Sequence, residues 1–332
     1  MASDNELSLD IPWVEKYRPQ EFKDVISQNL AINNLKRFVK SDATPHLIFN
    51  GPAGTGKTSA ALILAKKLSG DDCKERGLLL ELNASDNVRM DYVRDILKEF
   101  VNQSLIANQS QGKNLKIVIL DEADNIPGTV QQALRRIIEK SSGTVLFIFL
   151  CNYINRLIDP IISRCAVLRF APLPKLSVIE RLKYIIKSEK LKIANEKELL
   201  EQIYFISEGD LRKAINTLQM AVALKILDDL RIDELYGISG YVDNNTVEKL
   251  YEAMKTKDFT EILKITKGIK GYSTRSLMRQ LFLKIAQEKN LDDSKIAKIY
   301  NLFGDYDFRM TMGAEVEIQM ISLLNLLSWE LK

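Results

Sequence analysis

The sequence predicts an α/β core, a parallel sheet covered by helices, followed by a remainder that is entirely helical. Three observations carry this. Short, near-continuous apolar runs alternate with helical patterns through the first half of the 332-residue chain, which is how parallel strands and their crossover helices read. The alternation ends at Ala171-Pro-Leu-Pro174, where two prolines interrupt regular structure. No convincing strand follows.

Taken in order, buried strands are expected at His46–Asn50, Leu78–Leu82, Lys116–Leu120 and Thr144–Leu150, with Ala166–Phe170 as a possible fifth. Helices Thr58–Leu68, Met90–Val101 and Val130–Lys140 lie between them. Beyond the prolines, Ser177–Lys190, Glu196–Ser207 and Asp210–Leu224 read as three amphipathic helices, together too small for more than a lid on the first domain. Gly237-Ile-Ser-Gly240 marks a second boundary. From Asp243 the chain is helical again and ends in Glu315–Leu331. The expected division is therefore 1–171, 172–238 and 239–332. The last helix carries Ile318, Ile321, Leu323, Leu324, Leu326, Leu327 and Trp329. So wide an apolar stripe fits either the buried centre of a bundle or a helix with one side turned to another subunit.

Composition removes several classes of chemistry. No apolar run approaches the roughly 18–20 uninterrupted residues of a membrane helix, and the polar, acidic start Met1–Asp10 is unlike a secretory signal. Cys73, Cys151 and Cys165 are widely spaced and form no CxxC pair, which argues against a disulfide frame or a zinc site. The chain reads as intracellular. His46 is the single histidine, so a Ser-His-Asp hydrolase would have to be built on it; at the entry to an apolar run its expected role is structural. A net charge of +3 is compatible with nucleic acid and decides nothing.

Gly51, Pro52, Ala53, Gly54, Thr55, Gly56, Lys57 and Thr58 match GxxxxGK[ST] in full, with a strand before and a helix directly after. Glycines let the backbone close around phosphate oxygens, and amides at the helix N-terminus point at the anion. Lys57 supplies a full positive charge at the β/γ-phosphates, and the Thr58 hydroxyl is placed to ligate Mg²⁺. Lys116-Ile-Val-Ile-Leu-Asp-Glu-Ala-Asp124 ends an apolar strand in carboxylates, at the edge where open α/β sheets place ligands. Asp121 is expected to hold Mg²⁺, through water, and Glu122 to orient and deprotonate the attacking water. Asn152 closes an apolar strand and reads either as a γ-phosphate sensor or as a turn former. Arg164, in Ile162-Ser-Arg-Cys165, reads either as a solvated charge or as an arginine finger reaching a neighbouring subunit's nucleotide.

Together these residues resemble the small subunits of replication factor C, the clamp loader of eukaryotes and archaea and a branch of the AAA+ ATPases. Pro12-Trp-Val-Glu-Lys-Tyr-Arg-Pro19 is similar to the family's opening box, Gly51–Thr58 to its Walker A box and Val118–Asp124 to its Walker B box. Leu82–Asp86, Gln131–Arg136, Cys151–Tyr153, Ser163–Cys165, Gly209–Asn216 and the closing segment Asp307–Gln319 also fit. The resemblance implies an AAA+ core, an all-α lid and an all-α C-terminal collar. It implies ATP and Mg²⁺ as cofactors, with Val14, Tyr17, Arg18, Val25 and Ser59 joining the P-loop around the nucleotide. It makes Asn152 sensor 1, Arg164 a trans-acting finger and Arg212 a second γ-phosphate contact. It points to Arg89, Arg94, Arg135 and Arg136 for DNA.

The implied function is ATP-dependent loading of a sliding clamp onto primer–template DNA. The implied partners are large and small clamp-loader subunits in a five-membered ring, the clamp, and DNA, in the nucleus of a eukaryote or the cytoplasm of an archaeon. An ATP-binding structural subunit that lends Arg164 to its neighbour is the alternative, and a helicase-type remodeller suggested by Asp121–Asp124 is a weaker one. Three places depart from the family pattern. Ala53 stands where a second proline is usual. Asn87-Val-Arg-Met90 replaces an acidic-Arg-Gly-Ile stretch and shifts or removes a DNA-contacting arginine. Pro127-Gly128 alters the entry to the helix carrying Gln131–Arg136.

Overall fold

The computed structural model describes residues 11–41, 43–84, 90–102, 115–141, 143–225, 232–269, 271–288 and 291–331, with the backbone alone at 90–94, 232, 233 and 238. In chain order the elements are α1 (Trp13–Lys16), α2 (Asn29–Lys40), β1 (His46–Asn50), α3 (Lys57–Ser69), β2 (Leu79–Asn83), α4 (Met90–Asn102) and β3 (Lys116–Asp121). Next come α5 (Gly128–Lys140), β4 (Val145–Cys151), α6 (Asp159–Ile162) and β5 (Cys165–Arg169). The rest is helical: α7 (Lys175–Ser188), α8 (Glu196–Ser207), α9 (Leu211–Ala223), α10 (Ile232–Ile238), α11 (Asn244–Thr256), α12 (Phe259–Gly268), α13 (Thr274–Ile285), α14 (Asp293–Thr311) and α15 (Val316–Glu330).

The five strands form one sheet in the order β2-β3-β4-β1-β5, and every pairing is parallel. The all-buried runs of β3 and β4 follow from that topology, because crossover helices cover both faces of a parallel sheet. On one face α2 and α3 pack through Leu35, Ala61 and Leu64 against Leu47, Ile117 and Ile148. On the other, Leu97, Leu134 and Ile138 pack against Val118, Phe147 and Phe149. Among the described residues no second sheet exists for a helicase-type motor. α2 has no counterpart among the expected elements, although Ala31, Ile32 and Leu35 recur at helical spacing and are buried.

Local chemistry explains the shifted boundaries. Thr144, expected in a strand, instead closes a turn: its amide and hydroxyl both donate to Ser141 O. Helix α5 starts two residues early because Pro127 fits the position before a helix, and its carbonyl accepts from the Val130 and Gln131 amides. Lys116 opens β3 as a buried lysine, its ammonium donating to Phe100 O at 2.5 Å and Val101 O at 3.4 Å. That cation meets the carbonyl end of α4, where positive charge is favoured.

By compactness the chain divides into two units, Met1–Leu191 with Ser207–Asn216, and Lys192–Ile206 with Thr217–Lys332. The second has its own core, in which Leu250, Met254, Leu281, Ile299, Phe303, Leu323 and Leu327 are buried together. Four of its helices begin with a side-chain cap: Asp243, Asp258, Ser273 and Asp292 each accept an amide three residues on, satisfying a donor the helix leaves open. In α15, Met320, Leu323, Leu324 and Leu327 are buried, whereas Ile318, Leu326 and Trp329 are exposed. Within a single chain the helix thus has one buried and one exposed apolar side, rather than lying buried all round.

His46 has the structural role expected of it. Phe147 N donates to its Nδ1 at 3.2 Å, and the imidazole meets the Phe147 ring edge-on. The bond needs Nδ1 unprotonated, and burial also holds the imidazole pKa below its ordinary value. The folded state therefore binds the proton less readily than the unfolded chain. Its contribution is complete above the unfolded pKa of about 6.5 and is lost as pH falls below it. Denaturant titrations from pH 8 to 5 should show stability falling below about pH 6.5. His46→Asn, which keeps an acceptor but does not titrate there, should flatten that fall; an identical pH profile in the variant would show that His46 is not its source.

Candidate functional site

Three adjacent strands, β1, β3 and β4, end on the same edge of the sheet, and their register aligns Asn50 with Cys151 and Leu120 with Phe149. Gly51, Asp121 and Asn152 are the residues at or just beyond those ends, so strand pairing alone draws the P-loop, the acidic pair and the polar strand end together. This is the crevice outside the carboxyl ends of a parallel sheet, where such folds bind ligands.

The loop itself is shaped by close approach. A Cβ at Gly51 would lie 2.0 Å from Phe170 O, and one at Gly54, whose φ is +67°, would lie 1.7 Å from Asp210 Oδ1. Only glycine fits either place. Lys57 follows at the start of α3 and is 8% exposed; its ammonium donates to Gly51 O at 2.6 Å, Pro52 O at 2.8 Å and Asn152 Oδ1 at 3.0 Å. Burial pushes its pKa down, and the charges of Asp121 and Asp124 act against that shift. Thr58 Oγ1 donates to Asp121 Oδ2 at 2.9 Å, while Asp121 Oδ1 accepts from Glu122 N at 2.8 Å. Glu122 sits at φ 53°, ψ 39°, a left-handed conformation costing a non-glycine residue about 1–2 kcal/mol. Its Oε2 accepts from Asn125 Nδ2 at 3.2 Å.

A pocket of about 1040 Å³, counting its open mouth, runs from the opening segment to α9. Of the residues expected at a nucleotide, it brings together Val14, Tyr17, Arg18, Val25, Ala53, Gly54, Thr55, Gly56, Lys57, Thr58, Ser59, Asp121, Glu122, Asn152 and Arg212. Gly51 and Pro52 stand behind it as acceptors for Lys57. The first turn of α9 is drawn in by a bond from Leu211 N to Gly54 O at 3.3 Å, which brings Arg212 to the wall. The opening segment is fastened from outside. Glu189 accepts from Lys16 Nζ at 2.7 Å and Tyr17 Oη at 2.6 Å, and Arg181 donates to Tyr17 O at 2.7 Å. Burial, then Glu189, pushes the Tyr17 phenol up to about 12.

Several residues with positioning roles are marked by no periodicity in the sequence, although Gln131 and Asp210 fall in segments that resemble the family's. Gln28 bonds both backbone groups of Ala171, accepting from its N–H at 3.1 Å and donating to its C=O at 2.8 Å. Gln131 is buried and connects Ile126 O, Arg156 O and Ile158 N. Asp210 and Asn125 are ordinary polar residues until the loops are placed. Arg164 lies outside the pocket: it donates to Pro160 O at 2.7 Å and pairs with Glu139 at 2.7 Å. The same Glu139 Oε1 accepts from Arg135 Nε at 3.0 Å, and these arginines hold its carboxyl below its ordinary pKa. Arg136 is exposed. Arg89 and the side chain of Arg94 lie outside the described residues.

The clash at Gly54 gives a direct test. Gly54→Ala should weaken nucleotide binding at least about tenfold, since both the strained φ, of order 1 kcal/mol, and the displaced Asp210 act on the loop. Gly143 is a control with φ +95° and open space around it; Gly143→Ala should cost stability without changing nucleotide affinity. Fluorescent-nucleotide titration beside thermal melts separates the two. Equal affinities for both variants would contradict the close-approach argument.

Comparison with known proteins agrees with this geometry. The model of the ATPase family associated with various cellular activities (AAA) matches residues 47–173. The RCF1/5-like AAA+ ATPase lid domain matches 180–223, and the replication factor C C-terminal domain matches 242–325. Replication factor C small subunit 1 of Pyrobaculum islandicum is 40% identical over 322 residues, 93% of this chain and 91% of its own. The replication factor C small subunit of Staphylothermus marinus is 40% identical over 331 residues, covering 98% and 96%. That of Methanothermobacter thermautotrophicus is 38% identical over 319, covering 94% and 96%. Among solved structures, the Thermotoga maritima RuvB Holliday junction branch migration motor shares the fold, with TM-score 0.52 and 18% identity over 77% of this chain and 86% of its own. With a P-loop pocket of this form and relatives of this similarity along nearly its whole length, the chain belongs to the replication factor C small-subunit family of AAA+ ATPases.

Proposed function

We propose that this chain binds and hydrolyses Mg²⁺-ATP as a small subunit of a clamp-loader ring that opens a sliding clamp and places it on primer–template DNA inside the cell. The observation that carries the reading is the meeting of Lys57, Thr58, Asp121, Glu122, Asn152 and Arg212 at one pocket. Segments 1–171, 172–238 and 239–332 act as core, lid and collar, a division supported by three separate family matches. The exposed apolar side of α15 supports a collar that meets neighbouring subunits.

The donor set fits the metal. Thr58 Oγ1 and Asp121 Oδ2 are hard oxygens 2.9 Å apart, and Mg²⁺ takes one or two such protein ligands with phosphate and water supplying the rest. When bound, it neutralises charge on the phosphate oxygens. This chain's residues do the remainder. The Lys57 ammonium exchanges its carbonyl acceptors for the β/γ-phosphates. Glu122, which lines the pocket next to Asp121, takes the proton of the attacking water. Asn152 and Arg212 contact the γ-phosphate, and Val14, Tyr17, Arg18 and Val25 enclose the base. Phosphoryl transfer asks for little beyond such positioning and charge stabilisation.

Arg164 serves the neighbouring subunit's nucleotide. Its exposure and its absence from its own pocket support this. Arg135 and Arg136, with Arg89 and Arg94, meet DNA phosphates rather than bases, so binding is sequence-independent and salt-sensitive.

In a reconstituted ring, Lys57→Ala should abolish measurable nucleotide binding by this subunit, and Glu122→Gln should preserve binding while turnover at its site is lost. Undiminished ring turnover in both variants would instead favour a structural subunit that lends Arg164 to its neighbour. For Arg164→Ala, the informative ring has that neighbour as its one hydrolysis-competent site. An arginine finger contributes on the order of 10³–10⁵ in rate, against about 0–1 kcal/mol for an exposed ion pair. Turnover should fall at least about a hundredfold with assembly intact; a loss under about fivefold, less than 1 kcal/mol, would leave Arg164 an ordinary surface charge.

A further inference from the structure

Asp124 ends the acidic run at the tip of β3, two residues beyond Glu122 in a short 3₁₀ turn, Ala123–Asn125. It is 7% exposed, and nothing in the nucleotide chemistry above uses it. Its Oδ2 accepts from Asn152 N at 3.2 Å and Tyr153 N at 3.1 Å. Its Oδ1 has no protein hydrogen-bond partner, and no cation pairs with it among the described residues. The two successive amides just past β4 are thus the groups that account for a carboxylate buried here, since a buried charge needs hydrogen bonds to persist.

The consequence falls on Asn152. Its backbone N–H is held by Asp124 from one side, while its Oδ1 accepts from Lys57 Nζ at 3.0 Å on the other. Tyr153 itself is exposed, with Arg156 over its ring, and the chain is next held at Leu157, which is buried, and by Gln131 at Arg156 O and Ile158 N. Asp124 also adds to the field at the site, acting to raise the pKa values of Lys57 and of Cys151, whose thiol burial already drives up, to about 12. One carboxylate therefore sets the β4 end against the same turn that carries Glu122.

We propose that Asp124 is a positioning residue for hydrolysis: by gripping the Asn152 backbone, it holds the Asn152 amide beside Lys57 at the terminal phosphate, in register with Glu122. This rests on the reading of Asn152 as a phosphate sensor. Asp124 is not among the residues that line the pocket. It acts through geometry, and a misplacement of about 1 Å is enough to cost roughly a hundredfold in rate.

The test is a double-mutant cycle in the assembled ring with this subunit as its one hydrolysis-competent site, measuring kcat and KM for ATP. Asp124→Ala should lower kcat by about tenfold to a hundredfold and leave KM nearly unchanged, because Lys57 and the P-loop remain. Asp124→Asn keeps an acceptor of the same length and should restore most of the lost kcat. Asp124→Ala combined with Asn152→Ala should be no slower than Asn152→Ala alone, because both changes remove one interaction. Should Asp124→Ala fail to fold, Asp124→Ser, which keeps an acceptor one atom short, goes through the same cycle with the same expected signs. Multiplicative losses in the double variant, or wild-type kcat in Asp124→Ala, would overturn the inference while leaving Asn152 a sensor. Wild-type kcat in Asn152→Ala would remove the sensor reading and Asp124's role with it.

Discussion

Lys57 is a cation buried among backbone carbonyls, and among the described residues no carboxylate is in hydrogen-bond contact with it. Its ammonium draws on Gly51 O, Pro52 O and Asn152 Oδ1, so the loop after β1 and the turn after β4 are tied to one point. Leaving such a charge unsatisfied would cost far more than any single contact in the site contributes. The Lys57 bonds therefore constrain the glycine loop, the strand ends and the first turn of α3 together. They also describe the ligand that suits the site: an anion with several acceptor oxygens can replace all three partners at once.

Around this point the first unit fastens its loops with buried side chains instead of longer secondary structure. Gln28 pairs with both backbone groups of Ala171. Gln131 joins the turn after β3 to the turn after β4. An amide side chain offers a donor and an acceptor together, so it can satisfy a peptide group as a strand would. Each clip lies where a loop leaves the sheet, which is where a site built on loops needs rigidity. The second unit uses the same kind of clip: Gln280 accepts from Val242 N at 3.1 Å and donates to Val242 O at 2.6 Å. Its helices rely on capping aspartates and serine and on a continuous apolar core.

The sequence by itself determined the sheet, the proline stop after it and the P-loop, because these depend on period and local conformation. Four apolar residues in a row before Asp121 read as a strand buried on both faces, and Gly-Lys-Thr before an apolar helix reads as a phosphate loop. Asn152 was legible as a polar residue ending an apolar strand; Arg164 and Arg212 became distinctive only through family resemblance. Helix α2 is hard to read from the sequence despite its spacing, because its buried Ala31, Ile32 and Leu35 lie among polar residues. Only the tertiary structure decided which side chains complete the site. Gln28 and Ala171 lie far apart in the chain, as do Tyr17 and Glu189, and Asp124 and Asn152 meet only because β3 and β4 are neighbours in the sheet. Hydrogen bonds between residues so distant leave no periodicity in a sequence, since each is created by strand order and crossover packing.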